Sequence, residues 1–412
     1  MLRLIFLAVC FLTFVTLPLS TQAYIPFIAA EQINAVKAKA QTDIEAKKAL
    51  LMLTRQADRA VAQSVKVAKE YGGLAQNYVC PDHGGPLIYD EKLGIHRCPV
   101  DNKQYTGEKI DAAQRFYAHM KNSRTIKDLG LTYALTGEKK YANTGRDIML
   151  QYAKNWPEYK NPNDQNGHGH LFWQVLDDAQ FAANIAWGYN LIYPALTDEE
   201  REIIEKELIS PLYTIIQEQQ MAKIHSQRAW GNAGSALLGF AVNNPAWYKP
   251  AIEGPLGFKE QLDKGVLTTG FWFEDSLDTH FLALSALAAV AEVAPQFGYD
   301  LTAIPKLKAM FLAPLDPPLL SSSFSPLSNS SVSNPPNFPD LYELAYTWYK
   351  EPRFATHLST VYTKTKTDRL SYRALFYGTP LPVPTPGPNP GPNPISSITT
   401  IADTVPVKIE TK

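Results

Sequence analysis

From Asp111 to Gly378 the chain is a series of helix-period apolar segments, and no strand-like run of any length interrupts them. Nothing else in the sequence restricts the fold so strongly. Asp111–Thr136 stops at Gly137, Tyr141–Trp156 stops at Pro157, and Trp173–Tyr193 stops at Pro194, residues that end helices by their backbone chemistry. Asp198–Lys223 begins after Thr197 with three acids, which suit the positive first turn of a helix. Ala229–Val242 and Ser276–Ala294 follow, then shorter segments near Pro305–Phe311, Leu341–Tyr349, Pro352–Tyr362 and Leu370–Tyr377. Helices joined by punctuated links pack as antiparallel pairs, so the sequence predicts an all-α architecture. Apolar residues form 45% of the 412, ample for a common core. Before this region, Ala29–Lys69 carries an amphipathic pattern for one long helix or a pair.

Three stretches differ in character. Met1–Ala23 has Arg3, an uncharged run Leu4–Leu19 and the small-residue flank Thr21-Gln22-Ala23, the pattern of a cleaved secretory signal. It implies a secreted protein, extracellular or periplasmic, without stable membrane insertion after cleavage. Residues 78–108 are rich in Gly, Pro and Asp and read as a small β-hairpin module, with Leu87–Asp90 against Ile95–Cys98. Pro380–Pro394 is a polyproline-type linker, so that 379–394 separates the helices from a short tail, 395–412. The resulting division is 1–23 signal, 24–77 N-terminal helices, 78–378 main helical domain, then linker and tail. The loop over 316–339 holds a glycosylation sequon at Asn329.

Cys10 leaves with the signal, which leaves Cys80 and Cys98 as a pair in an oxidising compartment. A Cys80–Cys98 disulfide is the first expectation. The second is a zinc shell, because His83 and His96 complete two thiolates and two imidazoles, and free thiols are the third. Formal net charge is −1, so no bulk attraction exists for nucleic acid, and an acidic ligand must meet a local site.

The densest polar and aromatic cluster is Gly270–Leu287, where Phe271, Trp272, Phe273, Glu274, Asp275, Asp278 and His280 precede an apolar helix. Glu274 and Asp275 also suit that helix N-terminus, Trp272 suits either a sugar face or the core, and His280 suits a buried hydrogen-bonder. His168 and His170 lie in the long loop 157–171. Gln174 and Asp178 share one helix face at i, i+4, with Asp177 between them.

These residues resemble a known family. The Cys80–Glu108 module, the segments Leu131–Ala142 and Phe172–Gln180, and above all His225–Gly234 and Phe271–Leu287 are similar to the heparinase II/III-like and alginate-lyase-type polysaccharide lyases. The resemblance covers about Tyr78 to Gly378. It implies an incomplete (α/α) toroid, while the family's C-terminal β-sandwich is expected to be absent. It implies no cofactor, zinc at the Cys/His module apart, and an acidic polysaccharide as partner.

The family cleaves uronic-acid glycans by β-elimination. Donors must neutralise the uronate carboxylate, a base takes the C5 proton, and an acid protonates the leaving oxygen. Carried over, His225 takes the neutralising His/Asn position, with Trp230 and Asn232 on the helix that follows. Thr279 stands 54 residues on (225 to 279), where the family has its catalytic Tyr, with His280 next to it. Trp272, Glu274, Gln174, Asp178, His168 and His170 are the expected groove residues. An alkyl hydroxyl cannot replace a phenol as acid or base. The chain is therefore expected to be a lyase-like protein, impaired at Thr279 and by the missing sheet region. Two rivals remain: a non-catalytic acidic-glycan-binding remnant, and a toroid glycoside hydrolase using Asp177 or Asp178 with Glu274.

Overall fold

The computed structural model describes residues 23–316, 338–366 and 368–381. The expected signal up to Gln22, the sequon at Asn329, and the linker and tail beyond Leu381 lie outside the described residues. The first helices are α1, Ala30–Thr42, and α2, Ile44–Gln63, so the long N-terminal pattern is a pair. Asp43 breaks it by turning extended and accepting the N–H groups of Glu45 and Ala46 at 2.9 and 3.0 Å.

A three-stranded antiparallel sheet follows: β1, Ile88–Asp90; β2, Ile95–Arg97; β3, Gln104–Tyr105. Its first two strands are the expected hairpin, with Tyr89 opposite His96. The disulfide expectation fails, because Cys80 and Cys98 are both buried free thiols. Each sulfur faces the His83 imidazole, Cys80 at 3.5 Å and Cys98 at 3.4 Å from Nδ1. His96 is not with them. Its ring is buried between Tyr78 Oη at 3.0 Å and Asp111 Oδ1 at 2.7 Å, which ties the sheet to the next helix.

The main body is built of α3, Glu108–Thr136; α4, Lys139–Asn155; α5, Val175–Ile192; α6, Asp198–Ile204; α7, Ser210–Gln219; α8, Ser226–Ala241; α9, Pro245–Glu253; α10, Phe258–Gly265; α11, Leu277–Val293; and α12, Pro305–Leu312. Three more helices follow, Pro339–Tyr349, Pro352–Thr365 and Tyr372–Tyr377. Helices α3, α5, α8 and α11 pack side by side as an inner layer. The outer layer is α4 against α3 and α5, α7 against α5 and α8, α9 and α10 against α8, and α12 against α11. This is the (α/α) toroid arrangement. Helices α5 and α11 are buried along nearly their whole length because each has neighbours on nearly every side, whereas α3 keeps a charged outer face. In α11 nearly every residue is buried, and although Leu277–Phe297 is long and apolar enough to cross a membrane, 72% of its most apolar stretch is enclosed by the fold. Glycine sets two crossings: a Cβ on Gly188 of α5 would lie 2.3 Å from Ile126 Cγ2 of α3, and one on Gly234 of α8 would lie 3.0 Å from Ala179 O of α5.

The C-terminal helices return to the N-terminal pair. Tyr372–Tyr377 packs on α2, and Lys39 Nζ donates to Gly378 O. Arg373 and Tyr372 both bond the buried Glu292 carboxylate of α11.

The sequence predicts one helix over Asp198–Lys223; the structure divides it by a π turn, Glu205–Ile209. Pro211 explains the break, since it lacks an N–H and its ring crowds the carbonyl one turn back. Helices α9 and α10 have no counterpart in the sequence reading. Asn244 nevertheless caps α9 through Ala246 N–H at 3.0 Å, with Pro245 at its first position.

Candidate active site

The segments that enter α5, α8 and α11 are hydrogen-bonded in series at one end of the inner layer. The loop before α5 donates Gly167 N–H to Gln219 Oε1, at the end of α7. The segment before α11 then reaches α8, where Glu274 accepts Ser226 N–H at 2.6 Å. Three helix N-termini thus share one edge, and each adds partial positive charge where its N–H groups lack carbonyl partners.

Glu274 is the hub. Its carboxylate accepts from Ser226 N and Trp272 Nε1, both at 2.6 Å, from Ser226 Oγ at 3.1 Å, and from His225 Nε2 at 3.2 Å. It caps the neighbouring helix α8, while Ser276 caps α11 through Thr279 N–H at 3.0 Å. His225 is the N-cap of α8, and its Nδ1 accepts Gln227 N–H at 3.2 Å. That bond assigns the proton to Nε2, which donates to Glu274. Burial lowers the His225 pKa and outweighs the opposing pull of Glu274, so the imidazole is neutral at pH 7.

Thr279 lies beside this pair at the start of α11. Its Oγ1 is 3.0 Å from Ser276 O, 3.1 Å from Glu274 O and 2.8 Å from Ser276 Oγ. The hydroxyl is therefore spent within its own helix cap. No base touches it among the described residues.

Several expected site residues turn inward. His280 is fully buried, with Nδ1 accepting Trp272 N–H at 3.0 Å and Nε2 donating to Met310 O at 3.1 Å. Burial pushes its pKa down to about 4, so it is a neutral brace rather than a catalytic group. Trp272 is buried against Gly265, and no sugar can reach it. Phe273 is the aromatic that faces out, 42% exposed. Asn232 is buried between Arg228 Nε at 3.1 Å and Leu256 O at 2.6 Å. Asp178 is buried and accepts the N–H groups of His170 and Leu171 at 2.8 and 3.1 Å, shaping the loop and not a ligand site. The His170 ring packs tilted against Trp156, centroids 4.7 Å apart, and donates to Trp156 O at 2.8 Å.

Others stay at the open edge. Gln174 is half-buried at the N-cap of α5, without a capping bond of its side chain. His168 is half-buried, with Nδ1 donating to Gly169 O at 3.1 Å. Asp177 is half-buried, and burial pushes its carboxyl up to about 7. Trp230 is partly buried; its Nε1 and Gln220 Oε1 lack protein partners. The sequence reading missed Tyr71 and Trp173, whose rings lie 6.3 Å apart at this edge, with Arg115 over the Tyr71 ring. Trp173 N–H donates to Gly72 O at 2.9 Å, a long-range bridge that no local pattern marks.

The fold is a helical toroid with a polar edge at the inner helix N-termini. The particular likeness is to alginate lyases. No family model matches the chain. It is 30% identical over 167 residues to an exo-oligoalginate lyase of Saccharophagus degradans and 28% identical over 165 residues to an alginate lyase of Stenotrophomonas maltophilia. Each match covers 38% of this chain, and the chain spans only 23% and 22% of the length of those relatives. Among solved structures, an alginate lyase from Bacteroides ovatus superposes over 85% of this chain and 98% of its own, with TM-score 0.60 and 15% identity. Alginate lyase A1-III from Sphingomonas species A1 superposes over 82% and 92%, with TM-score 0.52 and 15% identity. The likeness to the alginate-lyase-type polysaccharide lyases read from the motifs is borne out, and the chain is polysaccharide-lyase-like.

Proposed function

We propose that this chain is a secreted protein that binds a uronic-acid polysaccharide of the alginate class along the N-terminal edge of α5, α8 and α11, with its β-elimination crippled at position 279. The observation that carries this reading is Thr279, whose hydroxyl is held in the cap of α11 beside the His225–Glu274 pair. Elimination removes the C5 proton, forms the C4–C5 double bond and expels the C4 oxygen, which takes a proton. The residue that should exchange those protons is here an alkyl hydroxyl without a base. Binding needs less: a polar edge where three helices begin, with the exposed Phe273 and the half-buried Tyr71 and Trp173 for sugar faces.

Two further findings support it. The A1-III lyase has been solved as a tyrosine-to-phenylalanine variant complexed with tetrasaccharide, so in that protein glycan binding survives loss of a phenol hydroxyl. A histidine-to-alanine variant is also known with tetrasaccharide, and the two substituted positions are 54 residues apart, the separation of His225 and Thr279. This chain superposes over 98% and 99% of those variants, so the fold it shares with them spans nearly the whole of two chains solved with tetrasaccharide.

The test compares wild type with Thr279→Tyr on oligoalginate, by calorimetric binding and by ultraviolet absorbance of the unsaturated product. Both proteins are expected to bind. The variant is expected to turn over at least about 10²-fold faster, the usual contribution of a general acid–base group. Absence of binding in both, or wild-type turnover equal to the variant's, rejects the reading.

A further inference from the structure

The two thiols of the small sheet belong to two turns of the same construction. One is Cys80-Pro81-Asp82-His83-Gly84; the other is Cys98-Pro99-Val100-Asp101-Asn102. In the first, Gly84 N–H donates to Cys80 O at 2.8 Å and Cys80 N–H to Gly85 O at 2.7 Å. In the second, Asn102 N–H donates to Cys98 O at 3.0 Å and Cys98 N–H to Lys103 O at 2.9 Å. Both turns close on a left-handed residue, Gly84 at φ 69° and Asn102 at φ 59°. They are a matched pair of knuckles. The third residue after each cysteine is His83 in one and Asp101 in the other.

We propose that these knuckles hold one structural zinc ion, bound by Cys80 Sγ, His83 Nδ1, Cys98 Sγ and Asp101 Oδ2. The ligand atoms of Cys80, His83 and Cys98 all lie within 4.8 Å of one another. A tetrahedral zinc with bonds of about 2.3 Å to sulfur and about 2.0 Å to nitrogen has S···N edges of about 3.5 Å. The observed Sγ···Nδ1 separations are 3.5 and 3.4 Å. Without a metal, a single imidazole nitrogen faces two sulfurs and has one proton or one lone pair to offer. The knuckle correspondence supplies the fourth ligand. Asp101 Oδ1 is occupied by Lys103 N–H at 3.0 Å, while Oδ2 points at the site, 4.0 Å from His83 Nδ1. A modest side-chain rotation brings that edge to the tetrahedral value of about 3.4 Å.

The surroundings fit a metal-held thiolate pair. Val100 N–H donates to Cys98 Sγ at 3.4 Å, and Tyr105 Oη lies 3.3 Å from Cys80 Sγ, contacts that orient sulfur ligands. The module also needs a staple. Its own buried cluster consists of Tyr78, Cys80, Leu87 and Cys98 against Ala113 of α3, far below what holds a small fold alone. His96, the histidine outside the shell, anchors the sheet to Asp111 instead.

The test is metal analysis of the purified full chain after dialysis, beside cobalt(II) substitution and thiol counting in denaturant. The expected result is about one zinc per chain, with thiolate-to-cobalt charge-transfer bands in the cobalt form. Cys98→Ser should lose the zinc, His96→Gln should keep it, and Asp101→Asn should release it to a chelator faster than wild type. If Cys98→Ser fails to fold, the metal content and cobalt spectrum of the wild type still decide. Metal-free protein in which Cys80 and Cys98 both titrate as thiols overturns the proposal, and so does a chain in which neither titrates because they have joined as a disulfide. Equal zinc release from Asp101→Asn and wild type overturns the fourth ligand.

Discussion

Removing the Glu274 carboxylate should cost the fold more than its position on an open edge suggests. Its side chain is 16% exposed, yet it is the acceptor for Ser226 N–H, Ser226 Oγ–H and Trp272 Nε1–H, and both donor residues are 1% exposed. In Glu274→Ala those donors lose their partner, and both donor residues stay buried. Each buried donor left unmet costs about 1–3 kcal/mol, and relief from holding a desolvated carboxylate offsets part of the sum. The net loss is about 3 kcal/mol, or a fall in Tm of about 6 °C at the roughly 2 °C per kcal/mol expected for a chain of this size. Glu274→Gln retains one acceptor and turns an amide NH2 toward the remaining donors, so its loss is about 1–2 kcal/mol. Urea titration followed by far-ultraviolet circular dichroism reads both values, and the order Ala below Gln below wild type is part of the expectation. A Glu274→Ala protein within about 0.5 kcal/mol of wild type, the range of an ordinary surface substitution, refutes the hub.

Acid should weaken the fold through His119 and His280. Burial lowers both to about 4 from an ordinary 6.5, so the unfolded chain takes up their protons first as pH falls. Their stabilisation is complete above pH 6.5 and disappears as pH falls through 4, with roughly 3 kcal/mol at stake for each. A Tm profile that stays flat from pH 7 to pH 4.5 contradicts this. Gly188→Ala should separate α5 from α3, because its methyl meets Ile126 Cγ2 at 2.3 Å and Ile126 O at 2.9 Å. The expected loss is about 1–3 kcal/mol, and a midpoint of denaturation unchanged from wild type would show that the crossing adjusts freely.

The toroid was legible because its helices have a clear period and well-marked ends, and because α11 is apolar on nearly every side and so belongs inside a layered helical fold. Where the reading failed, a single backbone residue decided the outcome. Pro211 divided the Asp198–Lys223 helix, and the Asn244-Pro245 start of α9, a recognisable cap, was passed over between longer segments. The site was legible in location and less so in composition. Sequence places Glu274, Trp272, Thr279 and His280 together, but facing depends on how the 270–276 segment lies across α8 and α12. Trp272 and His280 turned inward through a bond between them, and Phe273 was left outside. For the sheet module the repeated Cys-Pro turn held more information than the count of histidines. Asp101 occupies the register of His83, and His96 does not.

The polar density of 270–280 therefore has two sources, and separating them sharpens what position 279 can mean. Glu274 and His280 satisfy buried donors and acceptors, while Asp275 and Asp278 are exposed: His280 links Trp272 to Met310, and Glu274 caps a neighbouring helix. These bonds hold the edge in shape whether or not any reaction occurs on it. Thr279 is the exception. Its side-chain bonds run only to Ser276 and to the Glu274 carbonyl, local partners that the Ser276 cap would retain without it. The scaffold is thus built independently of the group that would perform proton transfer. On the proposed reading, such a protein loses turnover by one substitution while the polar edge stays intact, and regains turnover the same way.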